Sequence, residues 1–112
     1  MIKAINFTAK DTVNALAGVS SLKDFVGKTM HVVGAAIGDA TDIETGEVKT
    51  VGYMAVEENG TRCIVSTISG TAIESIGCII GYMEEEKAAA VDVTVNSRKS
   101  NGGRDFLTLT LL

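Results

Sequence analysis

Proline and tryptophan are absent, and the 112 residues include one histidine, two cysteines, two tyrosines and three phenylalanines. Without proline, turns fall to glycine and asparagine, and no stiff proline-rich linker can divide the chain. The single histidine, His31, lies in a strand-like segment, so Ser-His and Cys-His nucleophile arrangements have no supporting motif. Cys63, Cys78 and His31 lack zinc-site spacing, and Asp39-x-x-Asp42-x-Glu44 lacks the calcium-loop pattern. No glycine cluster has the strand before and helix after that a phosphate-binding loop needs. The sequence therefore predicts no enzyme, no catalytic residue, no metal and no cofactor. The uncharged stretch that begins at Cys63 is broken by serine, threonine and glycine and falls far short of the roughly 20 apolar residues of a bilayer span. No membrane association is expected. The N-terminal residues lack the basic start, apolar run and small-residue cleavage site of a secretory signal, which predicts a cytosolic chain with both cysteines reduced and buried.

What is present fits one globular domain spanning residues 1–112, with 46% hydrophobic and 21% charged residues. The net charge of −4 has the wrong sign for a protein whose whole surface grips phosphate, so any nucleic-acid site must be local. Acids cluster at Asp39, Asp42, Glu44 and Glu47, at Glu57 and Glu58, and at Glu84, Glu85 and Glu86. Bases cluster at Arg98, Lys99 and Arg104.

Residues 1–27 read as a lead-in of low definition, opening with a short strand or arm. From Thr29 to Ile37 a β-branched and small-residue run, with Gly34 and Gly38 as bend points, predicts the first long strand. The second covers residues 48–56, with Val48, Met54 and Val56 on the core parity and Lys49, Val51 and Tyr53 on the other. Asn59-Gly60 is a type I′ hairpin signal, because both central positions of that turn need positive φ. The third strand, residues 61–67, then pairs antiparallel with the second. Thr71-Ala72-Ile73-Glu74 reads as a capping box opening a helix whose apolar face is Ile73, Ile76, Ile80 and Met83, with Glu84 to Glu86 as a solvated loop after it. Val91, Val93 and Val95 alternate with polar residues in a fourth strand. Residues 97–104 form a basic hairpin loop, and Leu107, Leu109 and Leu111 face the core from a fifth strand whose Phe106 points outward. The order β-β-β-α-β-β predicts an all-β domain with one helix, an OB-fold-like five-stranded antiparallel barrel.

The stretch Ile64-Val65-Ser66-Thr67-Ile68-Ser69-Gly70-Thr71, the short apolar helix, Val91-Asp92-Val93-Thr94-Val95 and the run from Ser97-Arg98-Lys99-Ser100-Asn101-Gly102-Gly103-Arg104 to Leu109 together resemble the single-stranded-DNA-binding proteins of small tailed phages that replicate by protein priming. The match lies mostly in the C-terminal half. The resemblance implies sequence-independent coating of exposed single strands during phage genome replication in the host cytoplasm, with replication proteins and further copies of the chain as additional candidate partners. The residues available for such binding are Lys49, Tyr53, Arg62, Arg98, Lys99, Arg104 and Phe106, which combine cations for phosphates with aromatic planes for stacked bases. Two other readings stay open: a phage OB-like protein-interaction module without DNA binding, for which acidity is no handicap, and a small-ligand or nucleotide-binding barrel.

Overall fold

The computed structural model describes residues 3–99 and 101–112. Met1 and Ile2, in the expected N-terminal arm, and Ser100, in the expected hairpin loop, lie outside the described residues. In chain order the elements are β1 (Lys3–Ile5), α1 (Ala9–Ala17), β2 (Ser20–Ser21), a 3-10 turn (Leu22–Phe25), β3 (Thr29–Thr41), β4 (Val48–Glu58), β5 (Thr61–Thr67), α2 (Gly70–Glu86), β6 (Val91–Lys99) and β7 (Asp105–Leu111).

The long strand β3 organises the rest. One of its edges pairs with β4; the other pairs first with β6 through residues 29–32 and then with β1 through residues 35–37. The register shifts between Val32 and Gly34, so β3 carries an extra residue there and both Val32 and Ala35 face the core. Such a bulge bends and twists its strand, and the sheet curls into a mixed half-barrel in the order β2-β5-β4-β3-β6-β7. Its inner face contributes Val32, Met54, Val56, Val65, Val93 and Val95, and α2 plugs the hollow with Ala72, Ile76, Ile79, Ile80 and Met83. Gly52 lies under α2, where a Cβ would stand 2.6 Å from the Ile76 Cδ1. Asn59 and Gly60 have φ of 52° and 80°, and β4 and β5 pair antiparallel across them as expected.

The domain is thus mostly β and barrel-like, but the expected five-stranded antiparallel barrel needs correction. The described residues form seven strands, and β2 runs parallel to β5. Among the described residues β5 and β7 do not pair, so a seam stays open between them. The lead-in is not ill-defined: it supplies β1, α1, β2 and Leu22, a fully buried core residue. Helix α2 begins at Gly70 with Ser69 at its N-cap, not with a Thr71 capping box; the Thr67 hydroxyl accepts from the Ser69 N–H at 3.0 Å and turns the chain first. The three glutamates extend α2 by its last turn, which Lys87 ends in the left-handed conformation with its N–H bonded to the Met83 carbonyl. Val48 is 61% exposed because it flanks the hairpin tip beyond the reach of α2. Both cysteines are free thiols, but only Cys63 is half-buried; Cys78 points away from the Ile76, Ile79 and Ile80 face of α2 and is exposed.

Candidate nucleic-acid interface

The basic hairpin is more regular than its composition suggests. Arg98 and Lys99 belong to β6, where cross-strand pairing sets Arg98 opposite Phe106 and Lys99 opposite Asp105. Val95 and Leu109, and Ser97 and Leu107, pair on the alternate, inward parity. Arg98 and Phe106 therefore share one face of the hairpin, a cation beside an aromatic plane. Arg104 is exposed in the turn, next to Gly103 at φ 78°.

Phe106 is half-buried rather than fully outward, because it borders the open seam. There a cleft of about 570 Å³ separates the end of β5 from the start of β7. Its walls include Lys23, Thr67, Ile68, Ser97, Phe106 and Leu107. One cation, Lys23, one carboxylate, Asp105, hydroxyls and exposed apolar surface thus meet at the place where the barrel fails to close, and Ile68 is 68% exposed.

Tyr53 and Arg62 sit elsewhere. By register, Gly34, Tyr53, Ala55, Arg62 and Ile64 share the face of the meander opposite to α2, and the N-terminal segment crosses that face. Asn6 takes φ 50°, and its carbonyl approaches Gly34 so closely that a Cβ there would collide with it. Phe7 then packs on Tyr53 with ring centroids 6.1 Å apart and planes tilted by 36°. Thr8 and Asp11 form a capping box, the Thr8 N–H donating to Asp11 Oδ2 at 2.8 Å and the Asp11 N–H to Thr8 Oγ1 at 3.1 Å. The same carboxylate accepts from Arg62 Nε at 2.9 Å and Nη2 at 2.7 Å, and Nη2 also donates to the Asn6 carbonyl at 3.0 Å. Burial pushes the Asp11 carboxyl up, but hydrogen bonds from Arg62 and Thr8 and the Arg62 charge outweigh it and hold the group below its ordinary 3.8.

Lys49 stands apart from both groups. It is exposed on β4 opposite Ala40, beside the acidic β3–β4 tip, which Asp42 orders by accepting from the Glu44 and Thr45 N–H groups. The seven candidates therefore fall in three places: Arg98, Lys99, Arg104 and Phe106 on the hairpin, Tyr53 and Arg62 under the N-terminal segment, and Lys49 at the acidic end. Sequence reasoning missed Lys23, Phe7 and Asp11. The signal for Asp11 was present in Thr8-Ala9-Lys10-Asp11, a capping box before an alanine-rich run that stops at Gly18.

His31 Nδ1 lies 2.9 Å from Asp92 Oδ1 at the surface. Burial, and then the Glu58 charge, push the Cys63 thiol above its usual value, which disfavours the reactive thiolate. Among the described residues no three His, Cys, Asp or Glu side chains gather as a metal site, and no helix is long and apolar enough to cross a membrane. Comparison with known family models, curated proteins and solved structures finds no match to this chain.

Proposed function

We propose that this domain binds single-stranded DNA without sequence preference, through the β6–β7 hairpin and the open seam beside it. The observation that carries the reading is Arg98 placed across from Phe106, which lines a cleft that holds Lys23 beside Asp105. Phosphate contacts and base stacking are the two terms that hold single strands, and the pair offers one of each. Arg98, Lys99, Arg104 and Lys23 supply positive charge; the acidic β3–β4 tip belongs to another hairpin.

We further propose that the half-barrel is an open OB-type barrel. In support, β3, β4, β5, α2, β6 and β7 follow that fold's order, the bulged β3 is shared between β4 and β6, and α2 plugs the hollow. A role in coating strands during phage genome replication in the host cytoplasm, alongside replication proteins, rests on the resemblance of the C-terminal half. A protein-interaction module is the competing reading, favoured by β7, whose outer edge has no strand partner among the described residues.

Anisotropy titration with labelled oligo(dT) at two salt concentrations tests the choice. The parent should bind, with affinity falling as salt rises by a log–log slope of about −0.7 per phosphate contacted. Arg98→Ala with Lys99→Ala and Arg104→Ala should weaken binding and flatten that slope. Phe106→Ala should cost about 1 to 3 kcal/mol with the slope unchanged. Equal binding by the triple variant would remove the hairpin from the site, and no binding by the parent would favour the interaction module.

A further inference from the structure

We infer that Arg62 and Tyr53 form a second nucleotide subsite, which the chain's own residues 6–11 occupy in this structure, Asp11 in place of a phosphate and Phe7 in place of a base. The inference rests on the reading that the domain binds single-stranded DNA, and it adds an intramolecular competitor to that reading.

The stand-in is chemical. Arg62 offers two N–H groups in a fork, at 2.9 and 2.7 Å, to the two oxygens of the Asp11 carboxylate. A phosphate presents paired oxygens to the same fork, which is why arginine recognises both groups. Phe7 offers Tyr53 an aromatic plane, as a nucleobase does. Tyr53 and Arg62 lie on one face of adjacent strands, with Ala55 and Ile64 between them, so one strand of nucleic acid could meet both.

The docking of α1 is of a kind that a polyanion can compete with. Asp11 is the only buried residue of α1, whereas its larger apolar residues, Val13 and Leu16, are 64% and 86% exposed. The helix itself therefore contributes little apolar side-chain burial, which leaves the Arg62 fork as a main tie to the sheet beside Ala55 and Ile64, buried on the face that the segment crosses. The Arg62 side chain remains 36% exposed while the Asp11 side chain is 3% exposed, so an arriving phosphate reaches the guanidinium from solvent. Asn6, at φ 50°, joins the segment to β1, and Gly18, where a Cβ would meet nothing within 4 Å, ends the helix. Because β1 stays paired with β3 and Ile5 packs on the core, α1 can lift without opening the half-barrel.

The test compares the parent, Asp11→Asn, Asp11→Asn with Arg62→Ala, and Glu85→Gln as a charge-matched control on the exposed end of α2, all titrated with oligo(dT). Removing the competing carboxylate should tighten binding about three- to tenfold at low salt, because the apparent Kd is the intrinsic Kd divided by the fraction of molecules already open. The salt slope should match the parent's, because either chain offers Arg62 to one phosphate once α1 lifts. Arg62→Ala in the Asp11→Asn background should abolish the gain and flatten the slope by about 0.7. Amide hydrogen exchange on the unmodified parent provides a readout that does not depend on the variants folding: saturating oligo(dT) should speed exchange across α1. If the parent binds but Asp11→Asn matches Glu85→Gln, or if α1 exchange is unchanged or slowed, the inference is overturned and the hairpin reading survives. If the parent does not bind at all, the DNA reading falls and the inference with it.

Discussion

Asp11 shows how much one side chain decides here. Its carboxylate caps α1, accepts the Arg62 fork and is 97% removed from solvent, so it fixes the path of the N-terminal segment. Breaking such a pair leaves a partly buried guanidinium uncompensated, at a cost of about 1 to 3 kcal/mol. The pH dependence has a definite sign. Because the folded carboxyl titrates below its ordinary 3.8, its contribution is present above that value and is lost as pH falls through the folded value. Urea midpoints followed from about pH 5 down to about pH 3 should therefore fall more steeply for the parent than for Asp11→Asn. Parallel curves would show that the ion pair contributes no net stability. None of this was visible from Arg62 read alone. A cation at the start of a strand looks available in sequence, and only the fold brings an acid from 51 positions away to meet it.

At the scale of elements, local chemistry was legible where it was self-sufficient. Asn59-Gly60 specified its hairpin because its backbone preference needs no tertiary help. The valines of β6 and the leucines of β7 specified strands by their alternation. Helix α2 was legible from its isoleucine spacing, yet its start was not, because Ser69 and the Thr67 hydroxyl turn the chain two residues earlier than the Thr71 box suggested. Helix α1 was missed because its apolar residues do not mark a buried face; a single carboxylate does. The two kinds of glycine near α2 yield a prediction. Gly81 lies within the helix and a Cβ there would meet nothing within 4 Å, so Gly81→Ala should gain about 0.5 to 1 kcal/mol from backbone entropy. Gly52 lies beneath the same helix, where a Cβ would crowd Ile76, Ile73 and Thr67, so Gly52→Ala should lose about 1 to 3 kcal/mol. Thermal unfolding should move in opposite directions for the two variants; a shared direction would mean that α2 does not pack on β4 as described.

At the scale of the whole molecule, charge and closure point to the same side. Two of the acidic clusters lie at the β3–β4 tip and the end of α2, while Arg98, Lys99 and Arg104 gather on the hairpin that borders the seam. Salt screens the remote acids beyond a Debye length of about 8 Å at physiological strength, so a net charge of −4 can coexist with a local site for phosphates. The open seam itself was not legible, since strand count and order describe which strands form but not whether the last one reaches the third. If DNA binds only the folded chain, it must stabilise it by mass action, by about 2.7 kcal/mol at one hundred times Kd. For a domain of this size that corresponds to a rise in Tm of roughly 10 °C. The rise should shrink as salt is added, because Kd climbs while the DNA concentration is fixed. A melting series with oligo(dT) at low and moderate salt measures this directly. A shift of the expected size that did not respond to salt would indicate apolar seating in the seam without phosphate contacts. No shift at either salt, at DNA concentrations that saturate known single-strand binders, would turn attention to the free edge of β7 as the surface that meets a partner.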